Sequence, residues 1–499
     1  MLENKAPKQA AKLRILDPAC GSGSFLIGAY QYLLDWHRDW FASHDPKKLA
    51  TGRNPVLYQA PGGEWKLTTT ERKRILLQNI FGVDIDAQAV ETTKLSLLLK
   101  VLEGESEQTL ATQLRFYHER ALPDLGSNIK CGNSLIGQDF YQQTELRFPD
   151  EEERYRINAF DWGGKDGFPE TMKAGGFDAV IGNPPWVSLT GRFRNEIHSD
   201  EEIRYLISRF EGNTYMPNMY EYFVAQALNL MSVNGWFSFV VPDRLGYNAQ
   251  FTRLRSRILN ETRIHSLVYK APFPKIVADT LIFVLQKTSA PKDWTVAISE
   301  FGKLPIPRQQ RELLEHPAHA FEYFQDESLM DLVKAVGSNR RATSLGNICD
   351  STSGFGGKSA LIHEVRQSQC EIPTLKGDSI GRYEFRKRYW FDFRKQNITG
   401  RTTDASKLGF IPKILIRKTG DRIIAMLDDS GIFPEQSLYF LFNKRTDADF
   451  KYLLGILNSR LLTAYYRAKA ITNRRSIAQV KKVDLDQLPI RTVEFRESH

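Results

Sequence analysis

Residues 17–23, Asp-Pro-Ala-Cys-Gly-Ser-Gly, decide how the first half of this chain is expected to fold. The apolar residues 13–16 before them are typical of a short buried strand, and an apolar helix is predicted over 24–40. A strand that ends in an acid and turns directly into a helix is typical of an open α/β sheet. Gly21 and Gly23 permit unusual backbone angles and a close ligand approach. We therefore expect a ligand at this turn, beside the amides of the helix N-terminus; the alternative interpretation is a tight strand–helix turn without a ligand.

Strand and helix patterns alternate through the following residues. A helix is predicted over 87–102, and apolar residues recur at i, i+3, i+4, i+7 and i+8 from Tyr220, which indicates a second helix with one buried face. The later predicted strands are residues 80–84, 177–181, 236–241, 264–269 and 280–285. This alternation predicts a doubly wound α/β sheet.

Changes in composition along the sequence divide the chain into three parts. Residues 1–290 are expected to form the α/β domain, with polar insertions near 41–70 and 141–175. A Pro-rich connector is predicted over 291–340. Short strand-like runs then alternate with glycine and charge, so 341–499 is predicted to be a second, mixed α/β domain.

Composition sets weaker limits on function. Lys and Arg outnumber Asp and Glu by 68 to 59, and this mild basic excess suits a polyanionic partner without requiring one. The four cysteines lie far apart with no CxxC pairing, so no metal site and no disulfide framework are predicted. Because no signal peptide and no apolar run of roughly 20 residues is present, we expect a cytoplasmic protein.

Asp84 ends the second predicted strand, where a carboxylate can accept hydrogen bonds from ribose hydroxyls. Its alternative roles are a helix N-cap or an exposed loop acid. Together with the glycine turn, Asp84 indicates a nucleoside-bearing cofactor. Residues 352–359 nearly match a Walker A loop, but Thr352 replaces the first glycine and no convincing buried strand precedes them. An ATPase is therefore excluded.

A second loop, Asn183-Pro184-Pro185-Trp186, directly follows a predicted strand. The Asn183 side-chain oxygen and the Pro184 carbonyl can accept both hydrogens of an aryl amine, which localises its lone pair. Two prolines stiffen the loop, and Trp186 offers a flat face for a planar base. The alternative interpretation is a simple proline turn after a strand.

These motifs together resemble the gamma-class adenine DNA methyltransferases of type IIG restriction–modification enzymes and BREX-type phage-defence systems. The matching segments are DPACGSG (17–23), GVDID (82–86), CGNSL (131–135), GNPPW (182–186) and FVVP (239–242). The resemblance implies a Rossmann-like S-adenosylmethionine-dependent methyltransferase sheet with a C-terminal mixed α/β target-recognition domain. It implies methyl transfer from S-adenosylmethionine to the N6 amino group of a flipped adenine in double-stranded DNA.

The resemblance also assigns a cofactor pocket. Its residues are Asp17, Pro18, Ala19, Cys20, Gly21, Gly23, Asp84, Ile85, Asn133, Ser134 and Pro185. Asp84 is expected to hold the ribose, and Ile85 to lie against the adenine ring. Asn133 stands where the family often has an acid that contacts the adenine amino group, and an amide oxygen can accept the same bond.

The same resemblance assigns the catalytic residues as Asn183, Pro184, Pro185 and Trp186. Phe273 matches the loop aromatic that stacks on the flipped base opposite Trp186; without the family match it is equally a buried hairpin aromatic. Family members carry a helical cofactor-binding segment before the first strand, where this sequence has only about a dozen residues. We therefore expect the N-terminal part to be missing, or another polypeptide to complete the pocket.

Cations alternate with aromatic residues in the C-terminal part, which suits a phosphate-contacting surface. The predicted DNA-binding residues are Arg382, Arg386, Lys387 and Arg388, with Arg474, Arg475 and Lys481 as further candidates. The alternative interpretation is a pair of solvated strands.

Other functions remain open at this point. An N4-cytosine methyltransferase uses the same loop chemistry but usually has serine before the two prolines. C5-cytosine methylation needs a nucleophilic cysteine in a Pro-Cys loop, which this sequence lacks. Protein glutamine methyltransferases also use such a loop, but they are much shorter. The last alternative is a non-catalytic or partner-completed DNA-recognition subunit.

Overall fold

The computed structural model of the chain contains two compact units, residues 1–323 and 324–499. The described residues are 1–499 without 53, 61, 105–122, 144–150, 190–198, 215, 274–277, 317, 322–326, 340, 421, 445–448, 471–479 and 492–499. The first unit extends past the predicted boundary at residue 290. The expected connector 291–340 is therefore wrong in its first part, because residues 295–309 add two strands to the edge of the sheet.

The first unit alternates strands and helices. Its strands are β1 (Ile15–Asp17), β2 (Leu57–Gln59), β3 (Trp65–Leu67), β4 (Ile80–Asp84), β5 (Ile129–Cys131), β6 (Phe177–Gly182), β7 (Met231–Pro242), β8 (Arg263–Tyr269), β9 (Thr280–Gln286), β10 (Thr295–Glu300) and β11 (Ile306–Gln309). Its helices are α1 (Pro7–Ala10), α2 (Ser24–Ser43), α3 (Pro46–Leu49), α4 (Thr69–Asn79), α5 (Ala87–Leu102), α6 (Phe140–Gln143), α7 (Glu151–Ile157), α8 (Pro169–Lys173), α9 (Asp200–Phe210), α10 (Met219–Leu230), α11 (Thr252–Glu261) and α12 (Gln310–Glu315).

Nine of the described strands form one sheet in the order β11-β10-β8-β9-β7-β6-β1-β4-β5. Strands β7, β6, β1, β4 and β5 are parallel, and β9 lies antiparallel between β7 and β8. This arrangement confirms the predicted doubly wound α/β sheet. Because the carboxyl ends of parallel strands meet at one edge, the loops that follow β1, β4, β5, β6, β7 and β8 share that edge.

Both faces of this sheet are covered by helices, which explains why its central strands are mostly apolar. Ile15 of β1 packs into a core with α2, α4 and α5, whereas the adjacent Leu16 packs into a core with α9, α10 and α11. Ala179 and Val180 of β6 divide between the same two cores. A one-residue shift in these strands would exchange the two faces.

The two predicted insertions contribute to the cores. Leu57 and Leu67 of the β2–β3 hairpin, within 41–70, are buried against α2. In the described part of 141–175, the aromatic residues Phe160, Trp162 and Phe168 are buried in the other core. The polar and acidic composition of these stretches concealed those few buried side chains.

The second unit is a mixed α/β domain. Its strands are β12 (Ala342–Ser344), β13 (Cys349–Ser353), β14 (Phe355–Gly357), β15 (Ile362–His363), β16 (Ile372–Leu375), β17 (Tyr389–Phe391), β18 (Ile398–Arg401), β19 (Lys413–Arg417), β20 (Ala425–Asp428), β21 (Phe433–Pro434), β22 (Leu438–Lys444) and β23 (Pro489–Arg491). Its helices are α13 (Glu327–Gly337), α14 (Leu345–Ile348), α15 (Ala405–Leu408), α16 (Phe450–Leu457), α17 (Arg460–Ala470) and α18 (Lys482–Asp486).

The main sheet of this unit, β13-β22-β19-β20, separates two cores. Ile414 and Ile416 face the core with α16 and α17, and Leu415 faces the core with β14, β16 and β17. Helices α16 and α17 follow each other with a break between them. The break falls at Asn458, whose buried side chain exchanges two hydrogen bonds with the backbone of Ala425 at 2.9 and 3.0 Å.

The stretch that nearly matches a Walker A loop forms strands in this unit. Strand β13, in which only Cys349 is buried, runs into its first two residues, β14 lies within it, and a short 3-10 turn, Ser359–Leu361, begins at its last residue. A Cβ atom on Gly354 would lie 2.2 Å from the Pro434 carbonyl oxygen. Close backbone packing therefore accounts for this glycine.

Candidate active site

The turn after β1 is fastened to the neighbouring strand and helix. Gly21 and Gly23 have φ angles of 53° and 84°. The Cys20 amide donates to the Val83 carbonyl at 3.1 Å, and the Thr93 hydroxyl donates to the Gly21 carbonyl at 2.7 Å. A Cβ atom on Gly23 would lie 2.9 Å from Thr93 Cγ2. The glycines are required both by their backbone angles and by this close contact.

Asp84 stands at the end of β4 with both carboxylate oxygens directed at backbone amides. The Gly21 amide donates to Oδ2 at 2.8 Å, and the Asp86 amide donates to Oδ1 at 3.0 Å. A carboxylate has about four acceptor positions, so Asp84 retains capacity for the ribose hydroxyls expected there. Ile85, expected against the adenine ring, is exposed beside it.

Asp17 is a buried acid at the end of β1. Burial raises its pKa to about 7; the Ala19 amide, which donates to Oδ1 at 3.0 Å, lowers this pKa, and the nearby Asp84 raises it. Among the described residues, Asp17 has no basic partner. Such a carboxylate is suited to a cationic ligand.

Asp17 also links the two predicted loops. Gly182, the last residue of β6, has a φ angle of 153°, and a Cβ atom placed on it would lie 2.5 Å from Asp17 Oδ1. The next residue is Asn183. Because Gly182 has no side chain, the turn after β1 and the loop after β6 lie in direct contact.

The loop after β5 joins the same edge. Ser134 is buried, and its hydroxyl donates to the Pro18 carbonyl at 2.5 Å. Asn133 is also buried, but its side-chain oxygen accepts hydrogen bonds from the amides of Leu135 and Ile136 at 3.1 and 3.3 Å. In this structure Asn133 stabilises the turn that follows β5.

The loop after β6 presents a buried acceptor. Pro184 is buried, Pro185 is exposed, and Asn183 and Trp186 are half-buried. Among the described residues, neither Asn183 Oδ1 nor the Trp186 indole nitrogen has a hydrogen-bond partner, although both atoms are buried. The next residues of this loop are fixed by backbone bonds of 2.9 Å to the segment before α10.

Phe273 lies in the loop between β8 and β9 and contacts Trp186. Their ring centroids are 5.3 Å apart with an interplanar angle of 39°. Two stacking contacts with an intervening base require about 7 Å between the rings, twice a carbon–carbon contact. The predicted pair is therefore brought together, but at a separation that does not admit a base.

Two buried acids near this edge were not predicted from the sequence. Asp243 follows β7 directly, the position that Asp17 and Asp84 occupy on their strands, so strand-end placement could have identified it. Burial raises its pKa to about 7, against a hydrogen bond from Tyr247 that lowers it. Burial likewise raises the pKa of Glu221, in the first turn of α10, to about 7. An acid inside an apolar helix was its only sequence signal.

The predicted DNA-binding residues of the second unit differ in their partners. Lys387 contacts Glu364 at 2.8 Å and Asp378 at 3.1 Å, and Arg386 contacts Glu384 at 3.7 Å. Arg382 donates to the Asn458 carbonyl. Arg388 is exposed and lies 5.9 Å from the Phe385 ring centroid, with no acidic partner among the described residues. Arg474 and Arg475 lie outside the described residues.

Two further structural features concern metals and membranes. Within the described ranges, no cluster of three or more His, Cys, Asp or Glu side chains is arranged to hold a metal ion. No helix in the part of the chain that the structure describes has the length and apolar character to cross a bilayer.

An α/β sheet with these loops at one edge, followed by a separate mixed α/β unit, defines the class of methyltransferases with a C-terminal specificity domain. Residues 78–273 match the Eco57I restriction-modification methylase family, and residues 372–490 match the TaqI-like C-terminal specificity domain. The chain therefore carries an Eco57I-type restriction–modification methylase domain and a TaqI-like specificity domain, as the sequence motifs predicted.

Curated relatives agree with both matches. RM.MjaORFECS2P of Methanocaldococcus jannaschii, named for a type II restriction enzyme and methyltransferase, is 23% identical and aligns with 96% of this chain and 48% of its own length. RM.Eco57I of Escherichia coli, a type II restriction enzyme and methyltransferase, is 27% identical over 48% of this chain and 21% of its own. The adenine-specific methyltransferase PglX of Streptomyces coelicolor is 24% identical over 38% of this chain and 13% of its own length. The chain spans about half the length of the first relative, or less of the others.

Solved structures confirm the fold. The type IIL restriction–modification enzyme MmeI, in complex with DNA, has a TM-score of 0.57 at 12% identity and covers 97% of this chain and 61% of its own. A nuclease-deletion mutant of the type ISP enzyme LlaGI, in complex with a DNA substrate mimic, has a TM-score of 0.54 at 11% identity. It covers 95% of this chain and 43% of its own.

Proposed function

We propose that this chain transfers a methyl group from S-adenosylmethionine to the exocyclic N6 amino group of a flipped adenine in duplex DNA, within a restriction–modification or phage-defence system. The observation that carries this proposal is the buried Asn183 Oδ1, which has no donor among the described residues. An unsatisfied buried acceptor costs about 1–3 kcal/mol. A donor that arrives with the substrate, such as an amino group, accounts for its position.

The charges at the sheet edge suit the proposed cofactor. S-adenosylmethionine carries a sulfonium and an ammonium group, and it supplies the electrophilic methyl when bound. Asp17, buried and without a basic partner among the described residues, provides a complementary negative charge. Asp84 and the backbone around Gly21 and Gly23 are the proposed contacts for the ribose and the methionine portion. Pro185, two residues after Asn183 in the same loop, is the proposed border between the cofactor and the target amine.

The residues of the loop after β6 would prepare the amine for attack. Asn183 Oδ1 and the Pro184 carbonyl each accept one amino hydrogen, which favours a pyramidal nitrogen with a localised lone pair. The two consecutive prolines hold these acceptors in place. No covalent enzyme nucleophile is needed, because the methyl group already carries a good leaving group.

The target amine is inaccessible inside a duplex, so the base must be flipped out at a cost of a few kcal/mol. Trp186 and Phe273 offset part of this cost by stacking, once their rings separate from 5.3 Å. The second unit would contact the DNA backbone, with Arg388 the most available cation of the predicted set. Support for DNA as substrate comes from MmeI and LlaGI, which were solved in complex with DNA and with a DNA substrate mimic, and support for adenine comes from the name of PglX.

An Asn183→Ala variant tests this proposal. We expect it to lose methyl transfer to DNA while binding S-adenosylmethionine with nearly unchanged affinity, because Asn183 acts on the amine. Asn260→Ala, an exposed asparagine of α11, is the matched control and should methylate normally. Radiolabelled methyl transfer and calorimetry give the two readouts.

Modification-sensitive long-read sequencing of DNA from a host expressing the full chain identifies the base. N6-methyladenine in a fixed sequence context is the expected result. Methylated cytosine, or full activity of Asn183→Ala, would contradict the proposed function.

A further inference from the structure

The residue that contacts the adenine amino group of the cofactor is open to question in this structure, because Asn133 has no acceptor to spare. Its side-chain oxygen already receives the amides of Leu135 and Ile136 at 3.1 and 3.3 Å, and the residue is 8% exposed. A carbonyl oxygen accepts two hydrogen bonds. An incoming amino group would have to displace one of these bonds and open the turn after β5.

A neighbouring segment brings a second asparagine to the same strand ends. The Asn133 amide donates to the Asn158 carbonyl at 2.7 Å, and Asn133 pairs with Ala159 in a parallel bridge. The backbone at residues 158–160 therefore extends the sheet next to the end of β5. It lies within the stretch that the sequence indicated as a polar insertion.

This segment is fixed firmly against the loop after β5. The Phe160 amide donates to the Ile136 carbonyl at 2.9 Å, and the Trp162 indole donates to the Ser134 carbonyl at 3.1 Å. A Cβ atom on Gly132 would lie 2.5 Å from the Phe160 ring, so the glycine is what lets this ring pack there. Residue 158 is thus held in a defined position.

The Asn158 side chain extends across the ends of β4 and β5. Its amide nitrogen lies 3.5 Å from the Ile85 carbonyl and 3.3 Å from Cys131 Sγ. The first distance is at the long limit for a hydrogen bond, and a cysteine sulfur is a weak acceptor, so the two contacts hold the carboxamide weakly. Among the described residues, Asn158 Oδ1 has no donor. The φ angle of 48° at this residue is one that asparagine tolerates better than most side chains.

We propose that the Asn158 carboxamide, and not that of Asn133, recognises the amino edge of the cofactor's adenine. This inference rests on the proposed function, because it assumes that S-adenosylmethionine binds with its adenine beside Ile85. An asparagine carboxamide can accept from the adenine amino group and donate to a ring nitrogen at the same time. Asn133 instead shapes the turn that positions Ser134 and the Asn158 segment.

The test compares two unreactive ligands by calorimetry with the full chain: S-adenosylhomocysteine and its analogue in which purine lacks the 6-amino group. We expect the wild-type chain to prefer S-adenosylhomocysteine by about five- to tenfold, the value of one hydrogen bond. In Asn158→Gly this preference should fall to about one, because S-adenosylhomocysteine loses the bonds to its amino group and ring nitrogen, whereas the analogue loses only the bond to its ring nitrogen. Glycine is chosen because it accepts the positive φ without strain. Asn158→Asp keeps an acceptor and should keep the preference.

Asn133→Ala should weaken both ligands by the same factor, because it loosens the turn. An unchanged preference in Asn158→Gly, or a preference lost selectively in Asn133→Ala, would overturn the inference while leaving the proposed function intact. Failure of the wild-type chain to bind S-adenosylhomocysteine would overturn the proposed cofactor and this inference with it. Thermal denaturation of each variant confirms that the fold is retained.

Discussion

Cofactor affinity should depend on pH through Asp17. This acid is 2% exposed, and burial raises its pKa to about 7. A cationic ligand binds the carboxylate form in preference to the neutral acid. Binding therefore requires Asp17 to release its proton, and the affinity should fall as the pH drops below the pKa of the free protein.

The size of the effect follows from the ionised fraction. With a pKa of about 7, this fraction falls from about three quarters at about pH 7.5 to about one tenth at about pH 6. The dissociation constant for S-adenosylmethionine should therefore rise about eightfold over this range. The range ends below about pH 8 because an α-amino group titrates there and would change the charge of the ligand.

Isothermal titration at four pH values, repeated in buffers of different ionisation enthalpy, measures both the affinity and the proton released. Asp17→Asn should bind more weakly at about pH 7.5 and lose the dependence. Asp39→Asn, an exposed acid of α2, is the matched control and should retain it. A flat wild-type curve, or the same slope in Asp17→Asn, would refute a buried ionisable acid at the methionine end.

Three further outcomes can be measured. Asp243→Asn should stabilise the chain by as much as ~4 kcal/mol at pH 8 and have little effect at pH 4, because the raised pKa of about 7 makes the ionised form unfavourable in the fold. Urea unfolding measures this, and an equal difference in unfolding free energy between variant and wild type at both pH values would contradict it. Arg255 is fully buried, and its guanidinium donates to four backbone carbonyls. Arg255→Ala should therefore lower the unfolding free energy by several kcal/mol, and Arg255→Lys should lower it less. Arg388→Ala should lower DNA affinity and reduce the slope of log affinity against log salt by about 1, whereas the ion-paired Lys387→Ala should change that slope less; equal slopes would place Arg388 away from DNA.

The strand-end positions could be predicted from the sequence because polar residues stand there directly at the ends of apolar runs. Asp17 and Asp84 each end an apolar run, and Asn183 follows one directly, so the pattern located all three at the carboxyl edge of the sheet. The parallel pairing of β1 with β4 and β6 confirms that arrangement. A local sequence pattern is enough to place such a residue when a buried strand is a short apolar run with a clear end.

Contacts between distant segments could not be predicted in this way. The role of Asn133 depends on the amides two and three residues ahead, and the position of Asn158 depends on how a polar stretch returns to the sheet. The unit boundary was misplaced because β10 and β11 have few residues and contain Pro307. Such features arise from tertiary pairing, which a single sequence does not encode as a local pattern.

The closed contact between Trp186 and Phe273 bears on the choice of substrate. Separating the two rings loses an aromatic pair worth about 0.5–1.5 kcal/mol. A planar base inserted between them forms two stacking contacts of about 1–3 kcal/mol each, so the stacking that is gained exceeds the ring contact that is lost. A glutamine side chain offers no aromatic face with which to offset the lost pair. The aromatic pair therefore favours a nucleobase over a protein glutamine, and it does so independently of Asn183, which would accept hydrogens from either amide or amine.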